Sequence, residues 1–209
     1  MENYLFLGDS ITDCGHLFQE DNLGNGYVQM IHSELCRQSS ITPIVSNYGY
    51  DGFTVNRMVR MWKDKRLQFS SDNSPDMITI LIGVNDISVI ETASEDKELA
   101  FSMVVSQLKQ FLDSLHSEYT CPILLMEPFL FSWPAYLISW MATRDRLSDA
   151  FAKIAKSHNI PYLTLHRELN QLALKEGINN ITIDGIHLTQ TGHRFLAQKW
   201  LAFKTSGKL

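Results

Sequence analysis

The chain has 209 residues, enough to bury a sizeable core, and its 44% hydrophobic and 20% charged content is ordinary for a globular protein. Its 18 Lys and Arg against 23 Asp and Glu leave a formal charge of −5, which argues against a nucleic-acid binder with its usual basic face. Cys14, Cys36 and Cys121 form no CxxC pair, so neither a disulfide framework nor a zinc knuckle is suggested, and a reduced, cytoplasmic protein is expected.

From the amino end, Glu2 and Asn3 lead straight into the apolar run Tyr4-Leu5-Phe6-Leu7, without the cationic and apolar regions of a secretory signal. The run reads as a strand buried on both faces and stops at Gly8-Asp9-Ser10-Ile11-Thr12. In a parallel sheet, ligands are met just past the carboxyl ends of strands, so Ser10 stands where a nucleophile is presented. Taken alone, Gly-Asp-Ser marks no more than a turn. Pro43 to Asn47 reads as a second strand, and Asn47, Gly49 and Gly52 stand at its end. Met77 to Ile82 is a third, followed by Gly83-Val84-Asn85-Asp86. Thr92 and Glu95 then offer a capping box for an amphipathic helix striped by Phe101, Val104, Val105, Leu108, Phe111, Leu112 and Leu115.

Ile123 to Met126 is the fourth strand, and an aromatic tract with Phe129, Phe131, Trp133, Tyr136 and Trp140 follows it. That tract, from Pro128 to Met141, holds two serines and Pro134 and is too short to span a bilayer. Leu147, Ala150, Phe151 and Ile154 mark another helix, and Ile160 to Thr164 a fifth strand. Asp184-Gly185-Ile186-His187 precedes a last helix, N-capped by Thr189 and running through Leu196, Trp200 and Phe203. Strands alternating with helices imply a mostly parallel sheet covered on both faces. With no repeat, low-complexity segment or linker, residues 1–209 read as a single α/β domain.

The residues that follow the strand ends are those acyl transfer needs. A serine hydroxyl is a weak nucleophile until a base takes its proton. His187 is the candidate base, and Asp184, three residues earlier, the carboxylate that orients it and stabilises the imidazolium. The Ser10 amide, the Gly49 amide and the Asn85 side chain are candidate oxyanion donors, Gly49 because a missing Cβ lets substrate approach its backbone. Each residue also has an ordinary structural reading as a turn former, a cap or a surface histidine; together they form one complementary set.

The blocks Gly8-Asp9-Ser10-Ile11-Thr12, Asn47/Gly49/Gly52, Gly83/Asn85/Asp86 and Asp184/His187 resemble the SGNH or GDSL hydrolases, from the first strand to the last helix. The resemblance implies a three-layer α/β/α, flavodoxin-like sandwich with a five-stranded parallel sheet. It also implies metal-independent ester hydrolysis through an acyl-serine intermediate, with no cofactor. The run through Asp13-Cys14-Gly15 and Leu23-Gly24-Asn25-Gly26-Tyr27-Val28 is similar to intracellular acetylxylan esterases of that family, which are often oligomeric. The substrate implied is a small-molecule ester, an acetylated sugar, and the partner a second copy of the chain, with no nucleic acid and no membrane span. The sequence departs from that subgroup in its aromatic tract, where Phe129 and Trp133 are candidate substrate contacts. A longer acyl pocket, as in a lysophospholipase or thioesterase, and a silent binding protein on the same scaffold are the alternatives.

Asp9, Asp13, Asp86, Asp184, His187 and His193 invite a metal reading, but no ligand spacing such as HExxH occurs. Asp9 and Asp86 are expected to bind loop amides, His193 to be structural, and Cys14 to be packing rather than catalytic. His16, His32, His116, His158 and His166 show no partner pattern and are expected at the surface or in loops.

Overall fold

The apolar runs that begin the chain and recur through it form one sheet. The computed structural model describes residues 2–67, 74–93 and 96–207. Its strands are β1 (Asn3–Gly8), β2 (Ile44–Gly49), β3 (Met77–Leu81), β4 (Ile123–Met126) and β5 (Tyr162–Leu163). All pair in parallel, in the order β2-β1-β3-β4-β5. The helices are α1 (Ser10–Asp13), α2 (Tyr27–Gln38), α3 (Val55–Lys63), α4 (Val84–Thr92), α5 (Lys97–Glu118), α6 (Met141–Ser157), α7 (His166–Glu176) and α8 (Gln190–Thr205). Helices α2 and α8 pack together, as do α3 with α5 and α4 and α5 with α6. Helices cover both faces of the sheet, in a three-layer α/β/α, flavodoxin-like arrangement. The chain steps from β1 outward to β2 and then back across β1 to β3, so the order reverses between β1 and β3. In open α/β sheets that reversal opens a crevice at the carboxyl ends.

Burial explains why the strands are nearly continuous apolar runs. Phe6, Leu7, Ile78, Ile80, Leu124, Leu125 and Met126 are sealed from solvent, as strands covered on both faces must be. Leu108, Phe111, Leu112 and Leu115 do the same for α5. Each such side chain contributes roughly 1.5–3 kcal/mol by leaving water. Across the sheet, Trp200 of α8 packs edge-on to Tyr4 at 5.6 Å and against Phe6 at 5.4 Å. Its buried indole N–H donates to Thr79 Oγ1 at 2.9 Å, so α8 is keyed to β3 by one polar contact inside an apolar layer. Among the described residues, no helix is long and apolar enough to cross a membrane.

Three local expectations differ from what is found. Thr92 is the last residue of α4 and its hydroxyl donates to the Ser88 carbonyl, while Asp96 caps α5 by accepting the Leu99 amide; Glu95 lies outside the described residues. The fifth strand is only two residues long: its ladder is closed by the Leu125 amide on the Pro161 carbonyl and the Glu127 amide on the Leu163 carbonyl, and past it the amides of Leu165 and His166 go to the Glu127 carboxylate at 2.6 and 2.9 Å. That carboxylate also accepts from Arg144 and Ser148, both at 2.8 Å, and so binds the ends of β4 and β5 to α6. The aromatic tract divides: Phe129 and Phe131 are buried edge to face at 6.1 Å, whereas Trp133 and Tyr136 stand 40% and 56% exposed. Thr189 does cap α8, its hydroxyl accepting the Gly192 amide.

Thr79→Val is nearly isosteric and strands the Trp200 N–H in the core. It should cost about 1–3 kcal/mol and lower the melting temperature by roughly 2–4 °C per kcal/mol in a chain of this size. Thr79→Ser should recover most of that, and a Thr79→Val protein as stable as wild type would show the contact to be idle.

Candidate active site

The turn that presents Ser10 is built by its neighbours. β1 ends at Gly8, where a Cβ would fall 2.1 Å from Thr12 Oγ1 and 2.5 Å from the Leu81 carbonyl. Only a glycine lets the chain fold back this tightly onto the strand. Asp9, in extended conformation, then caps α1, its carboxylate accepting the Ile11 amide at 3.0 Å. Ser10 is therefore the first residue of a one-turn helix, just past the end of β1.

On the opposite rim, Asp184 to His187 form a tight turn. Asp184 Oδ1 accepts the amides of Ile186 and His187 at 2.9 and 2.8 Å, and Oδ2 meets His187 Nδ1 at 2.6 Å. His187 Nε2 lies 2.9 Å from Ser10 Oγ. With a carboxylate on Nδ1, that nitrogen carries the proton and Nε2 is left as the acceptor for the serine hydroxyl. Burial pushes the Asp184 carboxyl up, but the hydrogen bonds from the His187 ring and the two amides outweigh it and hold the group below its ordinary value. The turn is pinned from outside as well: Phe131 donates to the Gly185 carbonyl at 3.0 Å. Gly185 has φ +91°, and a Cβ there would lie 1.8 Å from the Trp133 carbonyl oxygen. The segment after β4 thus packs directly beneath the carboxylate–imidazole pair. The His187 and Asp184 side chains are 43% and 47% exposed, so the site faces solvent.

Asn85 and Asp86 open α4 and grip the loop after β2. Asn85 Nδ2 donates to the Phe53 carbonyl at 2.9 Å, and the buried Asp86 carboxylate accepts the Val55 amide at 3.1 Å with each oxygen. One N–H of the Asn85 amide remains for another acceptor. Gly49 departs from the role expected of it. Its N–H donates to Asn47 Oδ1 at 2.9 Å, and a Cβ on it would lie 2.2 Å from the Asp13 amide nitrogen. The missing side chain makes room for α1, not for a substrate. Asn47 completes that seam by donating to the carbonyls of Thr12 and Leu23, both at 2.8 Å. The neighbouring turn differs: Gly52 has φ +66°, its Cα face is open apart from the Arg57 side chain, and its N–H donates to none of the described residues.

Phe129, expected to touch substrate, is fully buried against Phe131 and cannot; Trp133 is the exposed one. His193 is structural, its Nδ1 accepting the Tyr27 amide at 3.3 Å while Nε2 sits 3.6 Å from Cys14 Sγ. Burial holds its pKa down at about 4 and pushes the Cys14 thiol up, so neither is poised as a nucleophile–base couple. His158 and His166 are not unpartnered: the first pairs with Asp113 at 2.9 Å, and the second is half-enclosed where α7 begins, with Asn170 3.3 Å from its Nδ1. His16 is buried and paired with Asp13, at the same three-residue spacing as Asp184 and His187, a repeat already visible in the sequence.

The family model described as GDSL-like Lipase/Acylhydrolase family matches residues 6–195. An acetylxylan esterase from Geobacillus stearothermophilus is 28% identical over 216 aligned positions, covering 96% of this chain and 92% of that protein. The crystal structure of Axe2, an acetylxylan esterase from the same organism, superposes with a TM-score of 0.78 at 24% identity, over 96% of this chain and 93% of that one. LAE5, an α/β hydrolase enzyme from the metagenome of Lake Arreo, Spain, superposes with a TM-score of 0.80 at 20% identity, over 96% and 94% of the two chains. These superpositions establish the shared fold.

Two buried carboxyls beside the site make stability depend on pH. Burial pushes Asp9 up to about 7, with Asp86 nearby adding to it and the Ile11 amide and His187 opposing; burial likewise pushes Asp86 to about 7 against the pull of the Val55 amide. Both groups bind a proton more tightly folded than unfolded. Stability should therefore fall as pH rises from the ordinary carboxyl value, about 4, towards 7. Asp9→Asn keeps an oxygen for the Ile11 amide and removes one of the two groups. Urea unfolding of that variant from about pH 4 to about pH 8 should show a shallower fall than wild type; an equal slope would contradict the assignment.

Proposed function

This chain belongs to the GDSL-like lipase/acylhydrolase family, and we propose that it is a serine esterase that removes short acyl groups, acetyl foremost, from carbohydrates through an acyl-serine intermediate. The observation that carries the reading is the continuous line of hydrogen-bonding atoms from Asp184 through His187 to Ser10, at 2.6 and 2.9 Å.

The chemistry follows from that line. As Ser10 Oγ attacks the ester carbonyl carbon, its proton passes to His187 Nε2, and Asp184 stabilises the imidazolium. The carbonyl oxygen gains charge at the crevice between β1 and β3. There the Ser10 amide at the start of α1, the remaining N–H of Asn85 and the uncommitted Gly52 amide are the donors; Gly49 has no part in it. The imidazolium then protonates the leaving alcohol, and the acyl-serine is hydrolysed when the same imidazole takes a proton from water. The Ser10–His187–Asp184 line needs no other group for any of these transfers. The sugar reading draws on the relation to the acetylxylan esterase and on the exposed Trp133, whose backbone supports the turn that holds His187. An indole face and an open rim suit a sugar ring better than a long acyl chain, which needs a deep apolar channel.

Hydrolysis of p-nitrophenyl esters from acetate to dodecanoate, with Ser10→Ala as the blank, tests this. Activity should peak at acetate and fall in Ser10→Ala by at least about a thousandfold. A maximum at medium or long chains would replace the acetyl reading with a lysophospholipase or thioesterase one, and a fully active Ser10→Ala would remove the serine mechanism. Asn85→Ala should lower kcat about 100- to 1000-fold with little change in KM, because its bond forms with the oxyanion. A change confined to KM would contradict that role.

A further inference from the structure

Beside the site lies a second carboxylate–imidazole unit. Asp13 Oδ1 accepts the His16 amide at 3.2 Å and meets His16 Nδ1 at 2.5 Å, the local arrangement that Asp184 makes with His187. A carboxylate on Nδ1 leaves that nitrogen protonated and Nε2 a bare acceptor. The His16 side chain is only 4% exposed, yet Nε2 is not sealed in. Among the described residues, Arg144 Nε is the buried side-chain polar atom without a partner, and no hydrogen bond takes His16 Nε2, so that atom keeps a narrow contact with solvent.

Its position is fixed relative to the reacting groups. Asp13 closes the helical turn that Ser10 opens. The His16 ring meets Tyr50 edge-on at 5.7 Å, Tyr50 stacks on Phe53 at 4.8 Å, and the Phe53 carbonyl holds Asn85 at 2.9 Å. On the other flank, Gln190 donates to the Asn25 carbonyl at 2.8 Å and Cys14 touches His193, so the loop bearing His16 is tied to the helix that follows His187. An acceptor thus stands on the loop that follows the Ser10 helix, joined on one flank to Asn85 through Tyr50 and Phe53 and on the other to α8.

Resting on the carbohydrate reading above, we propose that His16, oriented by Asp13, is a specificity-determining residue that accepts a hydrogen bond from a free hydroxyl of the sugar whose ester Ser10 cleaves. An acetyl group has no hydrogen-bond donor, so only the alcohol part of the substrate can use this acceptor. Ser10 already has its base in His187, so His16 binds and does not catalyse.

The test compares kcat/KM for a monoacetylated methyl xyloside with that for p-nitrophenyl acetate, which has no hydroxyl. His16→Phe preserves a ring against Tyr50 and removes the acceptor. The xyloside-to-nitrophenyl ratio should fall roughly three- to tenfold, the worth of one neutral hydrogen bond, through KM for the xyloside. His16→Gln, with an oxygen in the place of Nε2, should restore part of it. A thermal melt precedes the kinetics, and His16→Leu takes the place of the phenylalanine variant if that protein does not fold. A ratio equal to wild type, whether both substrates decline together or neither does, would show His16 to be a packing residue. A wild-type enzyme that cleaves the nitrophenyl ester but not the xyloside would remove the carbohydrate reading, and this role with it.

Discussion

The one-turn helix carrying Ser10 rests on bare backbone, and the rest of the site depends on that contact. Gly8 of β1 and Gly49 of β2 are paired neighbours in the sheet, and a Cβ on either would enter α1, against Thr12 in one case and the Asp13 amide in the other. A larger residue at either position would lift the helix from the sheet edge. Moving the hydroxyl by about an ångström can cost on the order of a hundredfold in rate, because the attack geometry is set by position. Asn47 then sews the seam shut from below, leaving its own oxygen for the Gly49 amide. The one-turn helix is thus held by close packing on Gly8 and Gly49 and by the Asn47 hydrogen bonds, and Ser10 is fixed through it.

The partner groups reach Ser10 from a distant part of the chain, supported by the segment after β4. That segment buries Phe129 and Phe131 in the core, presents Trp133 to solvent, and places its backbone under Gly185. The same residues therefore anchor the fold and aim His187. Glu127 adds to this by fastening the ends of β4 and β5 to α6. The two buried carboxyls work the other way: Asp9 and Asp86 tie loops by accepting amides, and their desolvation opposes the folded state wherever they must ionise.

Much of this was legible in the residues because the determinants are local. Buried parallel strands are short apolar runs whatever surrounds them, so β1, β3 and β4 stand out. Their carboxyl ends share one edge, so Ser10, Asn85 and the turn before α8 were expected in one place. What the residues concealed depends on contacts between distant segments. A glycine in a sequence does not disclose whether its missing Cβ admits a substrate or a helix; for Gly49 the answer is α1. An aromatic tract does not disclose which rings turn inward, and Phe129 and Trp133 took opposite faces. Thr92 has the right chemistry for a cap, yet α4 ends on it and Asp96 caps α5 in its place. His16 shows no obvious partner in the residues, although Asp13 stands three residues before it, the spacing of Asp184 and His187.

If His187, held by Asp184, takes the Ser10 proton as proposed, Ser10 is the hydroxyl that an electrophilic phosphorus reagent should find most reactive. The most direct measurement is reaction with diisopropyl fluorophosphate, read by intact mass and by peptide mapping alongside p-nitrophenyl acetate hydrolysis. A single phosphoryl adduct on Ser10, formed in step with the loss of hydrolysis and absent from Ser10→Ala, is the predicted result. An adduct on another residue, or full activity in protein labelled at Ser10, would rule out Ser10 as the nucleophile.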